Sequence, residues 1–120
     1  MIKPLVYISS PYSKGSISKN VRFQHHIWEQ LRRRNTVTPI APLWSHYQDV
    51  HFPLTHAEWL DYDLEVIRRC DAVLRLDAGG PGLYHQHESS GADMEVKFAT
   101  ELGIPVFYSV GDLYEWADAR

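Results

Sequence analysis

The residues best suited to chemistry here are a few carboxylates, two clusters of hydroxyls and seven histidines. Glu95 falls on the first or second turn of a helix that the spacing starts near Ser90. A carboxylate there is favoured by the helix dipole, so it reads as a solvated N-terminal acid or as a reactive group, and spacing alone does not choose. Asp93 is two residues away and should point elsewhere on the helix. Asp63 lies on the preceding helix, eight residues before Asp71, where an ordinary exposed acid and a functional one are both consistent. Ser89-Ser90-Gly91 places hydroxyls and a small residue at a helix start, which serves equally as a plain N-cap or as an anion site. Ser9-Ser10-Pro11-Tyr12-Ser13 forms a comparable cradle after the first strand.

Several familiar chemistries are disfavoured. The Ser9–Ser13 turn lacks the glycines of a dinucleotide fingerprint, and Gly79-Gly80-Pro81-Gly82 lacks the lysine of a phosphate loop. His46, His51 and His56 are spaced by five, which does not stack them on one helix face, and His85-Gln86-His87 adds no HExxH pattern. Cys70 is the only cysteine, which excludes an intramolecular disulfide and a cysteine-based zinc cluster. No metal and no cofactor is expected.

These residues need one domain to position them. The chain has 120 residues, 44% hydrophobic and 22% charged, a length suited to a single core. No apolar run approaches the roughly 18 residues of a membrane span, and the start lacks a secretory h-region; the cytoplasm is the simplest compartment. A net charge of −3 argues against a nucleic-acid polymer as partner, since phosphate neutralisation needs a basic surface. That charge is unevenly spread: residues 1–60 carry a net +4 and residues 61–120 a net −7. Solvated faces account for this, as would a basic loop and an acidic cluster meeting at one ligand.

Apolar runs alternate with helical patterns, the mark of a parallel α/β sheet. Strands are expected at Leu5–Ile8, Thr36–Ile40, Asp71–Leu76 and Ile104–Tyr108. Helices are expected from Ser18 to about Arg34, His56 to Arg69, Ser90 to Leu102 and Gly111 to Ala119. The aromatic, His-rich stretch 41–56 has no clean period and reads as a functional loop; Asp77–Glu88 reads as a flexible one. The order implies a single-domain three-layer αβα sandwich with a doubly wound, mostly parallel sheet, flavodoxin-like or Rossmann-like. Such sheets bind ligands beyond the carboxyl ends of their strands, which selects Ser9–Ser13, the stretch 41–56 and Asp77–Glu95.

Tyr7-Ile8-Ser9-Ser10-Pro11-Tyr12 resembles the opening motif of the nucleoside 2-deoxyribosyltransferase-like superfamily, which includes 2′-deoxynucleoside 5′-monophosphate N-glycosidases and related phage-associated proteins. Trp59, with Asp63 eight residues before Asp71, resembles the second motif of that group. Ser89-Ser90-Gly91-Ala92-Asp93-Met94-Glu95, followed by Ala99, Gly103 and Pro105, resembles the third. The likeness runs through nearly the whole chain in the same order. It implies that Glu95 is the nucleophile that attacks the anomeric carbon and that Tyr7 holds its carboxylate. By the same likeness, Asp63 contacts or protonates the leaving base and Ser89 faces the sugar's 5′ end.

The free-nucleoside transferases usually carry Asp at that last position, and the monophosphate hydrolases carry Ser. An ionised Asp beside a phosphate would cost roughly 1–4 kcal/mol per unit charge at a 4 Å separation. Ser89 therefore leans towards a 5′-monophosphate. The resemblance implies cleavage of a deoxyribose N-glycosidic bond through a deoxyribosyl-enzyme. The alternatives are base exchange on free deoxynucleosides and, outside enzymes, a nucleotide-derived ligand sensor on the same fold. Ser9, Ser10, Pro11, Ser89 and Gly91 are the expected substrate contacts, and Trp44 in the aromatic stretch is expected to stack a base. The hydrolases' Gly-Ser-Ile-Arg turn is Ser10-Pro11-Tyr12-Ser13 here, and the transferases' C-terminal Asn, donated across a subunit boundary, has only Ser109 near its place. A homodimer or larger homo-oligomer is expected.

Overall fold

A computed structural model describes residues 2–77 and 90–120. The first strand, β1 (Leu5–Ser9), is buried at four of its five positions. A strand covered on both faces is spelled as a continuous apolar run rather than an alternation, which is why this one is legible in sequence. It lies inside a four-stranded parallel sheet ordered β2-β1-β3-β4, with β2 at Thr38–Ile40, β3 at Ala72–Arg75 and β4 at Val106–Phe107. Tyr7 is in register with Ile40 on one side and Val73 on the other, and Ser9 is in register with Arg75.

Alternation along β1 feeds two separate apolar clusters. Val6 and Ile8 pack with Leu74, Leu31 and Leu113, whereas Tyr7 packs with Val73, Ile67 and Ala99. The first cluster draws on α1 (Ile17–Arg34) and α5 (Val110–Asp118), the second on α3 (His56–Ile67) and α4 (Ser90–Glu101). The helix ends have local causes. Ser16 caps α1 by accepting from the Lys19 amide, and Asn35 ends it in the left-handed conformation at a φ of 65°, where Asn is tolerated better than most residues. Arg32, Arg33 and Arg34 occupy its last turn, favourable against the dipole, and Arg34 reaches Asp118 on α5 at 2.9 Å. Thr55 and Glu58 form a reciprocal capping box at the start of α3.

The stretch 41–56, expected as a loop, contains a 3₁₀ turn at Pro42–Trp44 that runs into a short helix, α2 (Ser45–His51). Neither contributes a buried residue. A helix with no buried side has no need of a 3.6-residue apolar stripe, so periodicity could not reveal it. Three strands are also shorter than expected, β3 by one residue at each end. Ladder pairing to β1 begins only at Thr38, and β4 pairs only through Val106 and Phe107. Pro39 sits on β2, an edge strand, where a missing N–H is tolerated. Among the described residues no helix is long and apolar enough to cross a membrane. The Asp77–Glu88 loop from residue 78 onward, with His85 and His87, and the site residue Ser89 lie outside the described residues.

Candidate functional site

Glu95 is carried inward by α4 and is only 7% exposed. Its two oxygens are held separately. The Tyr7 hydroxyl donates to Oε2, and the Ser9 hydroxyl donates to Oε1 at 2.8 Å. Tyr7 and Ser9 are two residues apart on β1, so the strand's period puts both on the face that meets α4. Both are fully buried, and the carboxylate needs these donors because an unpaired buried charge is costly. Burial pushes the Glu95 carboxyl up from its ordinary range, while the bonds from Tyr7 and Ser9 and the positive charge of Arg75 pull it down. Burial, reinforced by the negative charge of Glu95, raises the Tyr7 phenol well above its ordinary value, so it is a donor and not an anion.

Asp63 stands on α3 close enough to feel both partners. Burial first, and the charge of Glu95 second, push its carboxyl up to about 7, against an opposing interaction with the Tyr7 hydroxyl. Two carboxyls that share a site separate in acidity, one holding its proton near neutrality. The pair opens onto a cavity of about 350 Å³ whose lining includes Glu95, Asp63, Ser10, Lys14, Gly91 and Trp59. That volume falls in the range of small-molecule sites. Gly91 lies close to the opposite helix, since a Cβ added there would meet His56 Cε1 at 3.5 Å.

Of the residues singled out from sequence, the structure brings together Glu95, Tyr7, Asp63, Ser9, Ser10 and Gly91. Ser9 donates to Glu95 and is not among the cavity-lining residues. The Ser10 hydroxyl accepts from Gln24 Nε2 at 3.0 Å and still lines the cavity. Pro11 is buried beside them and Trp44 is 62% exposed; neither is among the cavity-lining residues. Trp44 packs instead against His25 and Tyr47, with ring centroids 5.5 Å and 4.9 Å away. Ser109 caps α5, its side chain accepting from the Asp112 amide.

Sequence reasoning missed three contributors. Gln24 is fully buried on α1; it donates to Ile8 O and Ser10 Oγ and accepts from the Leu43 amide, tying β1 to the start of the 41–56 stretch. Arg75, at the end of β3, pairs with Asp77 at 3.0 Å and reaches Asp93 at 3.6 Å. Its position at a strand's carboxyl end was the available signal. Asp49 on α2 lines the cavity and accepts from the Trp59 indole N–H at 2.6 Å. No sequence signal marked it, because α2 was not foreseen. Among the described residues no group of three or more His, Cys, Asp or Glu is placed to hold a metal ion.

No curated protein and no solved structure matches this chain. From residue 4 to residue 109 it fits the model of a domain of unknown function, DUF7768, and it belongs to that family.

Proposed function

We propose that the protein cleaves the N-glycosidic bond of 2′-deoxynucleoside 5′-monophosphates. The observation that carries this reading is a buried Glu95 carboxylate held at both oxygens by Tyr7 and Ser9, beside a raised Asp63 and a ligand-sized cavity. A nucleophilic carboxylate and a protonated acid are the two parts that substitution at an anomeric carbon requires. Glu95 attacks C1′ as the C1′–N bond breaks. The bonding pair leaves with the base, and the Asp63 proton neutralises it. Water then attacks C1′, restores the Glu95 carboxylate and returns a proton to Asp63. Tyr7 and Ser9 keep the attacking oxygens aimed, so little reorganisation accompanies the step.

Ser89, the residue that precedes α4 in sequence, with Ser10, Ser13 and Lys14 at the cavity, supports a phosphate at the sugar's 5′ end. The two apolar clusters, one on α1 and α5 and one on α3 and α4, support a doubly wound three-layer αβα sandwich. Exposed Tyr47, Val50, Phe52 and Tyr62 support self-association, which light scattering tests. The activity is tested by incubating wild type and Glu95→Gln with deoxynucleosides and their monophosphates and resolving free base by chromatography. Release by wild type and a loss of orders of magnitude in Glu95→Gln are expected. No release from any substrate, or equal release by the variant, would sink the reading. Exchange of an added base instead of hydrolysis would move the protein to the transferases.

A further inference from the structure

The cavity wall formed by α2 carries a carboxylate that the proposed chemistry does not use. Asp49 Oδ1 accepts from the Trp59 indole N–H at 2.6 Å and from the Leu54 amide at 2.9 Å. Two donors saturate one carboxylate oxygen. Oδ2 makes no hydrogen bond among the described residues, although Asp49 lines the same cavity as Glu95 and Asp63. The side chain is anchored. Trp59 stands on α3 one turn before Asp63, and His46, three residues before Asp49 on α2, is itself joined to the Tyr12 hydroxyl through Nδ1 at 2.6 Å. The bonds from Trp59 and Leu54 hold the Asp49 carboxyl below its ordinary range, so at neutral pH it only accepts.

We propose that Asp49 reads the nucleobase, its Oδ2 selecting bases that carry an exocyclic amine at the edge facing α2. This rests on the N-glycosidase reading for the identity of the ligand. Adenine and cytosine present an N–H donor where hypoxanthine and uracil present a carbonyl oxygen. Against a carboxylate the amine forms a charge-assisted hydrogen bond, whereas the carbonyl leaves two acceptors facing each other. A site built around a substrate's donor rejects the analogue lacking it far more strongly than an apolar pocket rejects a change of size.

The test uses substrate pairs that differ only by amine against carbonyl: the 5′-monophosphates of deoxycytidine and deoxyuridine, and of deoxyadenosine and deoxyinosine. Affinity is measured by calorimetry on Glu95→Gln, or on wild type if it releases no base, and base release is measured on wild type. The amine-bearing member of each pair is expected to be favoured about tenfold or more. Asp49→Asn makes the inference sharper. Oδ1 must stay an acceptor for Trp59 and Leu54, so the amide nitrogen takes the place of Oδ2 and becomes a donor. The preference should then invert towards deoxyuridine and deoxyinosine. A structural role for Asp49 would leave the ratio unchanged, since Asn keeps both internal bonds. Trp59→Phe, which leaves Asp49 in place, should weaken binding of the amine-bearing member while the preference keeps its sign.

Wild-type ratios near one, no inversion in Asp49→Asn, or no binding of any of the four nucleotides would each overturn the inference. Base release without amine preference would overturn it while leaving the proposed reaction standing. Amine-selective binding without base release would support it and remove the proposed reaction.

Discussion

The Tyr7 hydroxyl donates to Oε2 of Glu95 across 88 residues of sequence, and the bond is buried at both ends. It exists because β1 lies next to β3 at the centre of the sheet and α4 packs back over both strands. Tyr7 is fully buried and is not among the residues lining the cavity. Its influence on the cavity therefore passes through the carboxyls it touches, Glu95 and Asp63.

Tyr7→Phe keeps the ring in the core and deletes only this donor. Glu95 then retains Ser9 alone, and loss of a hydrogen bond to a buried charged group costs about 1.5–3 kcal/mol. We expect kcat for base release to fall at least tenfold with a smaller change in KM, and a Ser9→Ala, Tyr7→Phe double variant to lose more than either alone. Steady-state kinetics on the three proteins checks both statements; an unchanged kcat in Tyr7→Phe would contradict the positioning role.

Asp63 gives the pH dependence a sign. Its carboxyl is raised to about 7 by burial and by the charge of Glu95, against an unfolded value near 3.9. Between these values the folded state holds a proton that the unfolded chain has lost, so this group's contribution to stability is full at acid pH and declines as pH rises towards 7. Asp63→Asn, which cannot ionise, should gain stability relative to wild type at pH 8 compared with pH 5, as read from thermal melts. If Asp63 protonates the leaving base, wild-type kcat/KM should fall on the alkaline side with an apparent pKa near 7, and that limb should vanish in the variant. A profile flat from pH 6 to 9 would remove Asp63 as the acid.

Gln24 joins three segments that form the site. Gln24→Leu preserves bulk but leaves Ile8 O, Ser10 Oγ and the Leu43 amide without this partner. An unsatisfied buried group costs about 1–3 kcal/mol, so denaturant unfolding should show a loss of about 2–4 kcal/mol. Hydrogen exchange should rise at the Leu43 amide in particular. A variant as stable as wild type would show that the network is dispensable.

Phosphate preference is tested at Ser89. Wild type should favour a deoxynucleoside 5′-monophosphate over the free nucleoside in kcat/KM by about a hundredfold, the size expected of two charge-assisted bonds. Ser89→Asp should reverse the order, because an ionised carboxylate repels phosphate and accepts from a 5′-hydroxyl. Wild-type preference for the free nucleoside would favour the transferase alternative.

The sequence by itself was enough for the parallel α/β class and, among the described residues, for all four strands and for four of the five α-helices. Those signals are local: a continuous apolar run for β1 and helical spacing of apolar residues such as Val21, Ile27 and Leu31 for α1. Glu95, Tyr7 and Asp63 could be named because they fall in short motifs ordered along the chain. Only the tertiary structure decided which partners they have. Ser9, read as a substrate contact, donates to Glu95, and Trp44, read as a stacking platform for the base, packs on His25 and Tyr47. The raised pKa of Asp63 arises from burial and from a carboxylate on another helix, neither of which has a sequence pattern. Helix α2 and its Asp49 stayed hidden for the same reason. A short helix with no buried face leaves no period in the chain, and its carboxylate acquires meaning only where Trp59 and Leu54 meet it in space.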